Sequence, residues 1–463
     1  MTLIAPKRET AFRRIRRHVG ELVRLSVPVI IAQAGVMTMA LVDTVMVGRY
    51  DARELAYYGL GNMPVGVMLG VMIGLLMGVL VLSAQAVGRG EDHLTGRIWR
   101  RSLPYALLIG FTVAGACLTG EAFLLLTGQD PELAHGGAGI MRVVALGMPA
   151  AALHLATSLY LEGMKRPLPG MVAMLIGNVL NVGLNWLLVW GNWGFPAMGA
   201  QGAAWSTTVL RWLGAIGLVA YVWWHPRRVE WGIRGGFAGW WRHAAEQRKV
   251  GYAAGLSNGL EGSAFAGLGL FAGWLGAAAM GAYTIALNLT ALPFMCALGL
   301  ASATSVRVGN AFGAGDARET RLAGWTGLGV STVCLALVGV LFLHYPGEIA
   351  GQFTHDATVT ALAAPLIALT AWLLVADGGQ VVMAHALRGR NDTWVPTILH
   401  FCSYYAIMMP VAYLLAFRFG QGVLGLYQGI FVASFVSVTF LSVRFWWLSR
   451  QGIGAGGAGS RPH

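Results

Sequence analysis

Twelve blocks of apolar residues, each about as long as a membrane-crossing helix, set what this 463-residue chain can become. They lie near residues 25–47, 59–84, 101–126, 138–160, 168–190, 200–224, 251–275, 281–304, 321–343, 358–386, 395–417 and 424–447. About 20 apolar residues in a helix cross the ~30 Å of hydrocarbon in a bilayer. Backbone N–H and C=O groups find no water there, so a spanning segment must be a helix or part of a closed barrel, and blocks of this length are helices. Composition agrees, with 56% hydrophobic and only 11% charged residues, against the roughly 25% charged of soluble domains. The first block continues well past the small-residue triplet AQA at 32–34, so it reads as an uncleaved span rather than a leader. The expected fold is all-α integral membrane, with twelve transmembrane helices.

Charge sets the orientation. Of the 32 Lys and Arg, 27 fall in the N-terminal segment, the C-terminal end and the loops after even-numbered spans. Arg49, Arg53 and Arg418 lie on the opposite side, and Arg142 and Arg211 lie within spans. Basic residues collect on the cytoplasmic face. The expectation is therefore a multi-pass plasma (inner) membrane protein with both termini cytoplasmic. The net charge of +12 is then a membrane-face property, where anionic lipid attracts it, and no nucleic-acid partner is called for. Four cysteines, all in apolar spans, and eleven histidines without metal-ligand spacing give no cofactor or metal site. His154 and His385 read as packed or hydrogen-bonded side chains.

The longest basic loop divides the spans six and six. SAQAVGRGED (83–92) follows span 2 as TSVRVGNAFGAGD (304–316) follows span 8, and LEGMKRP (161–167) follows span 4 as LRGRNDT (387–393) follows span 10. An even number of spans per half makes the repeats parallel, a recurrent transporter plan with the substrate path between halves. The expected organisation is a tail (1–24), a six-helix lobe (25–224), an inter-lobe loop (225–250), a second lobe (251–447) and a disordered tail (448–463), with a central cavity between the lobes. Gly66, Gly70, Gly74 and Gly78 recur every four residues along span 2, a spacing that lets helices approach closely in a membrane.

Three carboxylates sit well inside spans: Asp43, Glu261 and Asp377. Asp43 and Glu261 occupy the first span of their respective halves. A carboxylate in hydrocarbon is costly and marks an ion pathway or proton relay more often than a packing site. Burial lets such a group exchange a proton near neutral pH; alternatively its oxygens can hold a hard cation such as Na+. Span 5 contributes Asn178, Asn181 and Asn185, the last two one turn apart on one face, and span 6 contributes Ser206, Thr207 and Thr208. These are the amide and hydroxyl partners that a buried Asp43 needs. Arg211 either pairs with a carboxylate or reaches toward the cytoplasmic side.

LVDTVMVGRY (41–50), SAQAVGRG, LNVGLNW (180–186), Glu261 followed by IALNL (285–289), SVRVGNAFGAGD and Asp377 followed by ALRGRND together resemble the MATE (multidrug and toxic compound extrusion) family, most closely its NorM-type branch. The resemblance spans all twelve helices. It implies a cation-coupled exporter, in which Na+ or H+ flowing inward drives organic, often cationic, drugs outward, with no cofactor and no catalytic residue. It assigns the coupling-ion and substrate site to Asp43, Asn181, Asn185 and Thr207 in the first lobe and to Glu261 and Asp377 in the second. Some members carry a tyrosine one turn before the last of these; here that position is Leu373. A chamber between linked halves needs no second copy, so the chain is expected to work as a monomer. The rival readings are a lipid-linked oligosaccharide flippase of the same superfamily, which would want a basic cavity, and a passive channel or receptor on this scaffold. An enzyme is not expected, since no nucleophile–base pair or nucleotide loop stands out.

Overall fold

The computed structural model describes residues 11–236 and 239–451. Twelve long helices follow the apolar blocks in order: α1 Ala11–Tyr50, α2 Ala52–Gly88, α3 Asp92–Leu118, α4 Pro131–Gly163, α5 Leu168–Leu188, α6 Gly199–Trp223, α7 Ala245–Trp274, α8 Ala277–Gly313, α9 Ala317–His344, α10 Ala357–Gly389, α11 Trp394–Arg418 and α12 Val423–Arg450. Among the described residues there is no strand. Eleven of the helices are long and apolar enough to cross a membrane. The exception is α7, where the glycine-rich run SNGLEGSAFAG that carries Glu261 dilutes the apolarity of a helix of full length.

Several boundaries differ from the sequence reading: α7 begins at Ala245, inside the expected 225–250 loop, and α12 continues to Arg450, past the expected start of the tail at 448. Residues 11–24, expected in the tail, continue α1, because His18, Leu22 and Leu25 form a buried stripe at helical spacing while Arg13, Arg16, Arg17 and Arg24 face outward. The third span does not run to residue 126. It stops at Leu118, Thr119 turns with its hydroxyl donating to Ala116 O (2.8 Å), and Gly120–Leu126 forms a separate short helix. A matching short helix, Pro346–Phe353, stands between α9 and α10. Residues 1–10 and 452–463 of the expected tails lie outside the described residues.

Packing repeats between the halves. Helix α2 lies on α4 as α8 lies on α10, α3 on α4 as α9 on α10, α4 on α6 as α10 on α12, and α1 on α5 as α7 on α11. The halves meet where α1 and α2 face α7 and α8. Glycine permits that approach at particular positions: a Cβ at Gly78 would strike the carbonyl of Gln247, and one at Gly74 would stand 2.5 Å from Gly255 Cα. Further along, a Cβ at Gly259 would be 3.3 Å from Val71 and one at Gly262 3.8 Å from Val67, so α2 and α7 part toward that end. Gly66 and Gly70 have nothing within 4 Å. The expected four-glycine stripe therefore reduces to Gly74 and Gly78 at this contact.

One end of the molecule is thus sealed. Burial is unbroken from Gly299 to Asn310 in α8 and from Ala376 to Gly389 in α10. Polar side chains tie the halves there: Asn310 Nδ2 donates to Ala84 O (2.8 Å), Gln85 Nε2 to Gly389 O (2.9 Å), and Ser302 Oγ to Glu162 Oε2 (2.5 Å). This is the end that carries most of the basic residues. From it α2 and α7 draw apart toward the other end. The connection between α6 and α7 does not hang free: Gly96 N donates to Trp231 O (2.8 Å), Trp231 and Ile233 are 2% and 0% exposed, and His225 stacks on the Trp231 ring at 4.1 Å.

Candidate functional site

The first cluster is built on Asp43, which α1 carries into the first half and leaves 2% exposed. Helix α5 presents Asn181 and Asn185, one turn apart and fully buried, and both direct their amides at one carboxylate oxygen: Asn181 Nδ2 and Asn185 Nδ2 donate to Asp43 Oδ1 at 2.9 and 2.5 Å. The other oxygen, Oδ2, accepts from Tyr58 Oη of α2 and from Thr207 Oγ1 of α6, each at 2.9 Å. Asn181 Nδ2 also approaches Ser206 Oγ (3.4 Å), and Asn185 Nδ2 approaches Asn181 Oδ1 (3.3 Å). Four neutral donors from three other helices therefore hold the carboxylate, with no ion pair within 4 Å.

The donor types divide the two oxygens. An amide N–H can only donate, whereas a hydroxyl donates or accepts according to its rotor. Oδ1 thus meets two amide N–H groups that can only donate, and Oδ2 meets two hydroxyls that can also accept.

Asp43, Asn181, Asn185 and Thr207 are brought together as the sequence suggested. Asn178 is not: its amide donates to Met174 O of its own helix (3.0 Å). Tyr58 was missed, because a tyrosine in the first turns of a span reads as an interface anchor; its spacing from Asp43 across the short α1–α2 turn was the available signal. Arg211 stands one turn beyond Thr207, with its aliphatic part against Gly147 and its Nη1 buried without a hydrogen-bond partner. It makes no ion pair with Asp43 within 4 Å. Arg142, the other basic residue within a span, pairs with Glu121.

The second cluster lies in the other half. Asp377 of α10 is 6% exposed, and its Oδ1 accepts from Gln380 Nε2 (2.7 Å) and Ser434 Oγ of α12 (3.3 Å). Gln380 Nε2 also donates to Tyr404 Oη (2.8 Å). The fully buried phenol thus accepts from the glutamine and stands near Glu261 of α7, between the two acidic residues. Tyr404 sits where α11 widens into π-helical turns over Cys402–Met408, a distortion that recurs at functional sites. Glu261 is partly exposed. Leu373 is 3% exposed and supplies no oxygen; the phenol near this pair comes from α11 instead. Gln380, Tyr404 and Ser434 were missed, each an ordinary polar residue in an apolar run.

No hydrogen bond among the described residues links the two clusters. None of the described His, Cys, Asp and Glu residues gather in threes as a metal site would. His385 Nδ1 bonds Val381 O of its own helix (2.9 Å), an ordinary packed histidine.

Removing one amide from Asp43 tests how much the cluster contributes to stability. N185L leaves a buried carboxylate one donor short, which costs about 2 kcal/mol for a hydrogen bond to a charged group. The expected result is a clear drop in thermal unfolding temperature in detergent; an unchanged temperature would mean that the bond is energetically idle.

The MatE family model matches residues 28–187 and 253–414. The chain is 41% identical over 430 residues to a probable multidrug resistance protein NorM of Caulobacter vibrioides, covering 92% of this chain and 90% of the relative. It is 34% identical to the multidrug resistance protein PmpM of Pseudomonas aeruginosa, covering 93% and 92%. Among solved structures, the eukaryotic MATE transporter AtDTX14 superposes with a TM-score of 0.86 at 20% identity, covering 94% of this chain and 98% of that one.

Proposed function

Because this chain belongs to the MatE family, we propose that it is a secondary active multidrug antiporter of the inner membrane, exporting organic, often cationic, xenobiotics in exchange for Na+ or H+ moving inward. The observation that carries the reading is Asp43: a buried carboxylate held by four neutral donors, with no ion pair within 4 Å and the Arg211 charge acting on it only from farther off. A carboxylate inside the bilayer that no cation pairs directly is a place for a mobile one.

In the proposed cycle, the lobes (25–224 and 251–447) seal the cytoplasmic end while the central cavity proposed between them faces outward, as the packing at Gly74 and Gly78 favours. Asp43, with Asn181, Asn185 and Thr207, and the Glu261–Asp377 pair receive Na+ or H+ from outside. Their neutralisation removes the attraction for a bound organic cation, which leaves. The lobes rock, the ion departs to the cytoplasm, and a drug takes up the recharged site. Only a difference in affinity between the two arrangements can drive this exchange, and the membrane potential adds ~2.3 kcal/mol per charge per 100 mV. The flippase reading is disfavoured because a phosphate-bearing lipid needs a basic cavity, and the charged groups of the two clusters, Asp43, Glu261 and Asp377, are acidic. The multidrug resistance names of the relatives support drugs as substrates, and a chamber between covalently joined lobes supports a monomer.

Inverted vesicles decide the matter. Transport of a fluorescent organic cation is measured under an imposed Na+ gradient and, separately, under a pH gradient. At least one gradient is expected to drive accumulation several-fold over unenergised vesicles; accumulation under neither overturns the proposal.

A further inference from the structure

Away from the carboxylates, the molecule buries a cation that nothing balances. Arg100, near the start of α3, is 7% exposed, and its Nε and Nη1 have no hydrogen-bond partner. The α6–α7 connection presses on it: a methyl group at Gly235 would collide with the guanidinium. Arg97 and Arg101 flank it. Arg101 Nη1 donates to His243 O (3.3 Å), and Arg248, 9% exposed, stacks over the Trp241 ring at 3.9 Å and donates to the Trp241 carbonyl. None of these four arginines forms an ion pair with a described carboxylate; Glu91 is engaged with Arg89, Glu230 with Arg227 and Glu246 with Asn391. A buried charge without a partner is strongly unfavourable, so the site calls for an anion.

The surface beside it says which anion. Arg97, Arg101 and Leu108 recur at helical spacing on one face of α3, and Leu108 and Phe111 are 48% and 62% exposed. A basic end thus passes within three turns into an apolar strip. Trp240, Trp241 and Tyr105 gather at the junction, with Tyr105 and Trp241 ring centroids 6.4 Å apart, the aromatic signature of the headgroup level. Free phosphate would have no use for the apolar strip; a phospholipid uses both parts.

We propose that Arg97, Arg100 and Arg101, roofed by the connection at Gly235, bind the headgroup phosphate of an anionic phospholipid whose acyl chains lie along Leu108 and Phe111. The lipid completes the seat of the inter-lobe connection on α3. The test is thermal unfolding of the purified full chain in neutral detergent, titrated with dioctanoyl phosphatidylglycerol, dioctanoyl phosphatidylcholine or inorganic phosphate. The anionic lipid is expected to stabilise saturably, with its midpoint weakened at least tenfold in R100Q and several-fold in R97Q. R318Q, an exposed basic residue at the start of α9, leaves the midpoint unchanged. Because Arg97 is exposed, R97Q keeps the question answerable should R100Q fail to fold. Equal midpoints in the parent and R97Q, or equal stabilisation by phosphatidylcholine or by inorganic phosphate, overturn the proposal.

Discussion

D43N abolishes gradient-driven transport of an organic cation in inverted vesicles while the protein still folds and inserts. The substitution fits the donor pattern: the amide oxygen can accept from Asn181 and Asn185, and the new N–H groups can donate to Tyr58 and Thr207, whose hydroxyls turn to accept. What is lost is the charge. Opposite charges ~4 Å apart at an effective dielectric constant of ~20 attract by about 4 kcal/mol, roughly a thousandfold in affinity. Transport should therefore fall to the background of vesicles without the protein, with E261Q following the same logic in the second half. Parent-level transport in both variants, with normal expression and a monodisperse elution profile, would remove the carboxylates from the mechanism.

The second large effect concerns the sealed end. Valine at position 78 has no room, because the Gln247 carbonyl occupies the place of its Cβ. Overpacking of this kind costs about 1–3 kcal/mol, and α2 and α7 relieve it by separating. G78V is expected to weaken the sealed arrangement at this end and to lower transport at least tenfold. The displacement is readable directly. Ala84 is fully buried at the contact of α2 with Gly309. In a background without the native cysteines, A84C should react with a water-soluble maleimide slowly in the parent and several times faster with G78V added. Equal labelling rates would show that the contact does not hold the seal.

Much of this was legible because membranes constrain sequence harshly. The spans declared themselves by length, and the two halves by the paired motifs around Gly88 and Gly309. Asp43 stood out because a charge in an apolar run is rare, and the Asn181–Asn185 spacing already put two amides on one face. What stayed hidden depended on which faces meet. Tyr58, Gln380, Tyr404 and Ser434 carry no charge, so nothing in an apolar run singles them out, and only folding aims them at Asp43 and Asp377. The break at Thr119 escaped notice since Gly120–Leu126 is as apolar as the helix before it. The glycine stripe misled for a related reason: period four places residues on one face without saying how much of that face has a neighbour.

The seating of the α6–α7 connection on α3 carries a mechanical consequence. Trp231 and Ile233 are fixed to the first half, and Trp241 and His243 touch α3 again further on, so little of the loop before α7 is left as a slack leash between the halves. A leash that short limits how far the halves can swing apart on that side, and any rotation must pivot near the leash's anchor. Lengthening it with a flexible glycine–serine insert after His243 would loosen the gearing between the halves without touching a single residue that meets ion or drug.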